Sequence, residues 1–598
     1  MNSKILITAG GVLSLMPGGV FAAQPKPNIL LIVSDDQGYA DYSRRRPDVR
    51  TPNLDALARQ SMVFERFYVE PASAPTRASL LTGRCFIKTG VTAVHWGLDY
   101  ISQQETLLPQ VMKRAGYKTA LIGKWHSGKG PGYLPRDRGF DHVVSATMHE
   151  HLDSDMCWND TPAVLRGTSC YPVQEKKGWT LERMAEKAAD YFAHAKEDGK
   201  PFFMQLAYVA PHAPWISDKQ IVGRYLREGQ SHSYAALNGL VEHLDRSIGE
   251  VLAALDKASL ADNTIVIFFS DNGYIHSGPG AALTDGEIAL RNPDSLRGTK
   301  GTVHEGGILS PMLVRWPGVV AAGSNRQLTH VTDILPTLAA IAGVNISSMK
   351  NLDGRSFRNN MTRGRYGSGD RVVVSSFLRI PSDDTRFRAE QGQDMDLVRK
   401  GINYDAANLY ARNDRFKLVK FPDRGYALYD MENDMGETTD VSEQFPRQKL
   451  ALEKAMKEWF ADVMKQPHSY AKPTYYFGRH PYTVIYFNGA WRFTGDMKGV
   501  GQWAHSISAT TSGSAAVWKI SVARAGKYRV RLEATTGPAG VKAVLKGAIS
   551  QAEGAIGKGK VHEMGTMELS TGDRELSFTL LGDNLAGTEL WNIVLEEV

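Results

Sequence analysis

A chain of 598 residues exceeds one compact unit, so two or three domains with substantial cores are expected. The formal net charge of +6 is mild and suits an acidic substrate, but no long Lys/Arg run offers a nucleic-acid footprint. Three cysteines, Cys85, Cys157 and Cys170, exclude a disulfide framework and a four-Cys zinc site, leaving Cys157 and Cys170 either paired or free.

The first residues read as an export leader. Lys4 precedes an apolar run from Ile5 to Leu15, then Pro17-Gly18-Gly19 and the small residues Ala22 and Ala23, where cleavage is expected. The run is too short and Gly-rich to span a membrane, and no later stretch is long enough. Residues 1–23 are therefore expected to be a signal peptide, and the mature chain to be exported without an integral membrane segment. No Cys lies beside the expected cleavage site, so a bacterial lipoprotein anchor is not expected.

Asn28 to Ser34 is a continuous aliphatic run, as expected of a strand buried on both faces of a parallel sheet. It ends in Asp35-Asp36, two acids that repel unless exposed or bound to a cation such as Ca²⁺ or Mg²⁺. Thr51 caps a helix with Leu54, Leu57 and Ala58 on one face. The stretch Ser73-Ala74-Pro75-Thr76-Arg77-Ala78-Ser79-Leu80-Leu81-Thr82-Gly83-Arg84 reads as a loop feeding a short helix that Gly83 stops. Ser73 then sits at a helix N-terminus, either as a cap or as a hydroxyl that handles an anion with Arg77 one turn on.

Gln110 to Ala115 reads as helix and Lys118 to Ile122 as a second buried strand, followed by Lys124 and His126. Between Met148 and Gly178 no period is evident. His149, His151, Asp153 and Asp155 there could form a metal cluster, but a solvated loop is the expectation. A helix from Leu181 to Ala195 leads to a third strand, Pro201 to Tyr208, and then to His212 between Pro211 and Pro214. After a helix over Tyr234 to Leu255, Thr264 to Ser270 forms a fourth strand ending in Asp271-Asn272. Chemistry-bearing residues thus follow four strands in turn, where open α/β sheets bind their ligands.

From Arg371 to Gln466 the segments Arg415–Val419 and Tyr426–Asp430 look like strands of a smaller sheet, with a helix over Gln448 to Met464. Arg412, Asn413 and Arg415 there are expected to be exposed structural residues, with substrate contact as the alternative. Beyond Gln466 short strands around Trp518, Tyr528, Phe578 and Trp591 alternate with Gly-rich turns, the pattern of an antiparallel β-sandwich.

The Ser73 to Arg84 string resembles the signature of the sulfatase family, with Thr76 slightly unusual. Gly123-Lys124-Trp125-His126 and Ala210-Pro211-His212 resemble two further family motifs, and Leu296 to Gly307 resembles a late one with Lys300 as its lysine. Arg315 to Gly318 and His330 to Thr337 continue the resemblance. Leu309 departs from it, standing where many relatives have Arg. The resemblance implies an alkaline-phosphatase-like α/β core over 24–370, a mostly parallel sheet flanked by helices, with an α+β subdomain over 371–466. The segment 467–598 is similar to jelly-roll modules appended to carbohydrate-active enzymes.

The resemblance also implies a mechanism. A plain serine attacking a sulfate ester would be left as a sulfated serine with no easy way back. Family members oxidise this residue to formylglycine, whose hydrated aldehyde attacks sulfur with one hydroxyl and later expels sulfate by deprotonating the other. By resemblance Asp35, Asp36, Asp271 and Asn272, together with Ser73 itself, ligate one Ca²⁺. Arg77 and Lys124 add positive charge, His126 is the base for elimination, and His212 and Lys300 flank the leaving oxygen. A Ser-type site implies an anaerobic sulfatase-maturating enzyme as partner. The expected substrate is a sulfated carbohydrate cut at a chain end, in the periplasm of a Gram-negative bacterium or outside the cell; Trp96 and Trp215 are candidates to stack on a sugar and His95 and Arg412 to bind it, with packing the alternative for Trp96, Trp215 and His95. The competing readings are an aryl or choline sulfatase, a two-zinc phosphatase or phosphodiesterase with unmodified Ser73, and a non-catalytic glycan-binding protein.

Overall fold

The computed structural model describes residues 26–146, 150–152, 157–158, 178–349, 351–363, 371–377, 394–500, 506–535 and 540–598. The leader, His149, Asp153, Asp155, Cys170 and the side chain of Cys157 lie outside the described residues.

The catalytic-type unit is built on one large sheet. Its strands are β1 (Asn28–Ser34), β2 (Met62–Tyr68), β3 (Lys118–Gly123), β4 (His142–Ser145), β5 (Cys157–Trp158), β6 (Phe202–Ala207) and β7 (Thr264–Ser270). After a short hairpin of β8 (Ser277–Gly278) and β9 (Ala281–Ala282), β10 (Leu309–Arg315), β11 (Gly323–Asn325) and β12 (Thr329–His330) complete it. The order is β11-β2-β10-β7-β1-β6-β3-β4-β5, with β12 beside β2. From β7 to β4 every pairing is parallel, whereas β10 runs antiparallel to both β7 and β2. The continuous apolar runs of β1, β6 and β7 are explained by burial of every residue on both faces. One face packs against the helix Ser73–Thr82, Leu108–Arg114 and Ile334–Ala342, the other against Thr180–Asp198 and His232–Lys257.

β2 and β10 are the two long strands of this sheet that escape a search for aliphatic runs. β2 carries Glu65 and Arg66 in its middle and alternates between buried and half-buried positions. β10 begins at Leu309, which pairs with Tyr68 and is buried, so the departure from the family pattern is a packing position.

The smaller sheet is antiparallel, β13 (Val373–Ser376), β14 (Leu409–Arg412), β15 (Phe416–Phe421) and β16 (Gly425–Asp430) in that order. Its two faces obey the period of two. Leu409, Ala411 and Leu418 pack against the helix Pro446–Lys465, while Tyr410 and Val419 pack against Tyr68, Leu296 and Val303 of the larger unit. Residues from Tyr475 onward form two six-stranded sheets around one core containing Phe487, Trp518, Tyr528, Phe578 and Leu595. The expected antiparallel pattern holds except at one pair, where Tyr475–Phe477 runs parallel to Ala515–Val522.

Gly123 closes β3 just before Lys124. Its φ is +106°, and a Cβ there would lie 2.0 Å from the Ala207 carbonyl oxygen of β6. Gly116 shares a positive φ, +82°, but a Cβ there meets nothing within 4 Å. Gly123→Ala is therefore expected to cost about 2–4 kcal/mol and Gly116→Ala about 1 kcal/mol. Equal midpoints in urea for the two variants would contradict the packing described here.

Candidate active site

The sheet register brings the site together. Ser34 pairs with Ser270, Val33 with Ala207, and Gly123 with Ala207, so β7, β1, β6 and β3 end level. Backbone bonds carry the alignment one residue further: Asp35 N–H donates to Ala210 O at 3.1 Å, Asp271 N–H to Ser34 O at 3.0 Å and Lys124 N–H to Ala207 O at 2.8 Å. Asp35, Asp36, Asp271, Asn272, Lys124, His126 and His212 consequently share one edge.

Above that edge stands α1, the ten-residue helix Ser73–Thr82, every residue of which is buried. Ala72 is its extended N-cap and Gly83 its left-handed C-cap, φ 66°. Ser73 thus occupies the first turn, but its hydroxyl does not cap the helix. It lies 3.1 Å from Asp35 Oδ1 and 3.2 Å from Asn272 Oδ1. Arg77 Nη2 donates to Asp271 Oδ2 at 2.7 Å and reaches Asp35 Oδ2 at 3.5 Å. Lys124 Nζ binds Asp35 Oδ2 and Lys300 Nζ binds Asp36 Oδ1, both at 2.5 Å. Asn272 Nδ2 donates to Asp36 Oδ1 at 2.7 Å, and His212 Nε2 stands 3.7 Å from Asp36 Oδ2.

The electrostatics follow from burying like charges together. Burial pushes the Asp35 carboxyl up, but the combined attraction of Lys124, His212, Lys300 and Arg77 holds it well below the usual range. Asp271 is pushed up to about 6 by burial and by Asp35 beside it. Lys300 is raised, since the Asp36, Asp35 and Asp271 charges outweigh its burial. Burial lowers His212 against the pull of Asp36, and burial with Lys124 nearby holds His126 well below an ordinary histidine. Its Nε2 is 2.8 Å from the Val94 carbonyl, and since a carbonyl only accepts, Nε2 carries the proton.

This donor set fits a hard divalent cation. Three buried carboxylates and an amide converge, and Asp36 Oδ2 is buried with no hydrogen-bond partner. Among the described residues, ligand atoms of Asp35, Asp36 and His212 all lie within 4.8 Å of one another, so an imidazole also comes within reach of the acids.

Other expectations change. Arg412 is fully buried, and its Nε donates to Tyr68 Oη at 2.6 Å, so it faces a structural network and not a substrate. Asn413 caps the β14–β15 turn by accepting from Arg415 N and Phe416 N, and Arg415 pairs with Asp430. Trp215 is buried in the core against the sheet's other face, which leaves no ring surface for a sugar. His151 is not solvated: it is buried, with Nε2 2.7 Å from the His212 carbonyl, tying the insertion's stem to the His212 loop. His95 and Trp96 remain partly exposed, on the loop that supplies the Val94 carbonyl.

Several supporting residues are invisible to motif reading. Glu70, pushed up to about 7 by burial, accepts from Ser79 and contacts Ser375, while Thr76 bonds the Glu70 backbone in both directions. Thr76 and Ser79 of the signature, through Glu70, thus shape the turn before Ser73. Lys417 bridges Glu305 Oε1 at 2.8 Å and Glu437 Oε1 at 3.0 Å, with Tyr68 Oη donating to Glu305 at 2.8 Å. All three charges are fully buried, and they clamp the loop that carries Lys300 to the smaller sheet. Only an interest in carboxylates flanking the Gly306-Gly307 pair could have pointed to Glu305.

A model of the sulfatase family matches residues 27–344, more than half of the chain. The chain belongs to the sulfatase family. It is accordingly a sulfuric ester hydrolase, as are its named relatives. Human N-acetylgalactosamine-6-sulfatase is 33% identical over 386 residues, covering 60% of this chain and 71% of that protein. Human arylsulfatase A is 34% identical over 373 residues, covering 57% and 69%. The crystal structure of Ps i-CgsB, also solved with k-i-k-neocarrahexaose, is 26% identical with a TM-score of 0.62, covering 74% of this sulfatase and 94% of that chain.

The Lys417 clamp makes a pH prediction. Burial pushes Glu437 up, but Lys417 and then His304 outweigh it and hold it at about 2, below its ordinary 4.5. A carboxyl lowered on folding stabilises above its unfolded value and loses that contribution as pH falls through the folded one, here between about pH 5 and pH 2. Lys417→Met strands two buried carboxylates and should cost about 3–5 kcal/mol at neutral pH. Calorimetric transitions of the variant should also fall less steeply over that window than those of the wild type; parallel slopes would contradict the pairing.

Proposed function

We propose that this sulfatase removes O-sulfate from a chain-end residue of a sulfated carbohydrate, with Ser73 oxidised to formylglycine and one Ca²⁺ held by Asp35, Asp36, Asp271, Asn272 and residue 73. The observation that carries the reading is the Ser73 hydroxyl, fixed at a helix N-terminus 3.1 Å from Asp35 and 3.2 Å from Asn272 inside a ring of Arg77, Lys124, His126, His212 and Lys300. An isolated buried serine needs no such frame.

Formylglycine, as its hydrate, supplies one hydroxyl to attack sulfur and a second whose deprotonation lets sulfate leave. Calcium held by the five proposed ligands would supply charge neutralisation for the sulfate oxygens; those five offer only oxygen, which favours it over zinc, while the nearby His212 imidazole is assigned to the leaving-group side. The protein's own groups do the rest. Arg77 and Lys124 fix positive charge on the Asp35 side, and the helix N-terminus adds backbone N–H groups facing an anion. His126 presents an unprotonated Nδ1, since Nε2 is committed to Val94, and so is suited to take the proton during elimination. Lys300 and His212 gather about Asp36, where one of them can protonate the departing alcohol oxygen.

Ser73 is only 1% exposed, so the anaerobic maturase proposed as partner would meet the chain before folding, ahead of export to the periplasm or beyond. A carbohydrate substrate is supported by the relatives' names, by the neocarrahexaose complex of a structural neighbour, and by partly exposed His95 and Trp96 beside the His126 support.

Matured enzyme should release sulfate from some sulfated mono- or oligosaccharide in a panel differing in sugar and ring position, and Ser73→Ala should lose roughly a thousandfold or more in kcat. Turnover of nitrophenyl or choline sulfate alone would remove the carbohydrate reading. Metal analysis should find one calcium per chain; stoichiometric zinc would overturn the ligand assignment.

A further inference from the structure

We propose that the C-terminal β-sandwich supports the active site, its turn Phe487–Gly489 positioning His126 by bracing the loop that supplies the Val94 carbonyl. The inference rests on the reading of His126 as a base, but the bracing itself stands on contacts described below.

The loop from Thr92 to Leu98 is closed on itself. Thr92 N–H and Ala93 N–H both donate to Leu98 O, at 2.8 and 3.2 Å, and Leu98 N–H returns to His95 O at 3.1 Å. Its tip, Trp96 and Gly97, is left-handed, φ 65° and 69°. The tip meets the sandwich backbone directly: a Cβ on Gly97 would lie 2.7 Å from Gly489 Cα and 3.0 Å from Asn488 O. Trp96 packs against the core of the large sheet and the core of the sandwich at once, so its indole joins the two units.

The turn that receives the tip is itself held. Tyr486 N–H donates to Tyr475 Oη at 3.3 Å, Trp518 Nε1–H to Tyr486 O at 3.0 Å, and Lys472 Nζ to Asn488 O at 3.2 Å. A second tie acts from the other side of the histidine. Trp125, the residue before His126, donates Nε1–H to Tyr133 O at 2.9 Å, and Tyr133 Oη donates to Thr474 O at 2.7 Å. A third, farther contact buries Trp491 in the core of the large sheet, with ion pairs from Arg492 to Asp394 and Lys519 to Asp396.

His126 therefore stands between two connections to the segment 472–489, one through Val94 and one through Trp125. Its backbone has a φ of 53°, unusual for a non-glycine residue, and its Nδ1 is buried without a hydrogen-bond partner. The ring's own donor bond goes to a loop carbonyl that leans on another domain. A sandwich acting as a tethered glycan-binding module would need none of these contacts.

The experiment uses full-length matured enzyme carrying Gly97→Asn, Tyr475→Phe or Tyr133→Phe. Asn tolerates positive φ, so Gly97→Asn isolates the collision with Gly489. The two Tyr→Phe changes keep their rings and loosen each connection mildly, which keeps the test alive if Gly97→Asn does not fold. Lys519→Met, at the far edge of the same interface, is the control. The expected result is a kcat loss on the order of tenfold for Gly97→Asn and roughly threefold for each Phe variant, with KM within about twofold and the control unchanged. Diethyl pyrocarbonate labelling, read at His126 by peptide mass spectrometry, should rise in the three variants. Labelling reports the bracing even if sulfate release fails, so the two readings fall separately. Folded variants with wild-type kcat and wild-type protection of His126 would overturn the proposal.

Discussion

Three carboxylates, Asp35, Asp36 and Asp271, are buried at the ends of two adjacent strands, and everything else in the site answers their mutual repulsion. Isolated, such charges would take up protons, as the upward push on Asp271 records. The protein keeps Asp35 ionised with Lys124 and Arg77 and meets Asp36 with Lys300 and the Asn272 amide. Under the proposed function, the same cations that stabilise the acids are the ones a sulfate group would meet, so one electrostatic arrangement would serve both the fold and an anionic ligand.

That arrangement depends on elements far from the chemistry. Level strand ends come from a parallel register with backbone bonds continuing past the last strand residue. Lys300 is carried by a loop clamped through Glu305 and Lys417 to the smaller sheet, and the His212 carbonyl is held by His151. Ser73 is fixed by a fully buried helix whose preceding turn is shaped by Glu70, Thr76 and Ser79. Thr76 and Ser79, both within the string that follows the hydroxyl, bond that turn through Glu70, so part of the string serves the shape of the turn.

The strands that end at the site were legible in the sequence because two-sided burial demands uninterrupted aliphatic runs, and β1 and β7 match the expected limits residue for residue. β2 and β10 are not, since Glu65 and Arg66 interrupt the first and Ser310-Pro311 the second. Site residues placed immediately after strands were readable for the same reason. Between the alternatives at Arg412 and Trp215 the sequence does not decide, because it gives proximity to a motif but not the face on which a side chain lies: Arg412 turns to Tyr68, and Trp215 enters the core. The burial of His151 is not legible, because nothing in an aperiodic stretch reveals that its stem returns to the sheet edge.

The central claim is that residue 73 works as an oxidised serine in this frame. Peptide mass spectrometry of fully active enzyme from its native host tests it most directly. The account predicts that the peptide spanning residue 73 is lighter by two hydrogens, as the aldehyde, or appears as its hydrate. Fully active enzyme carrying only unmodified Ser73 would contradict it.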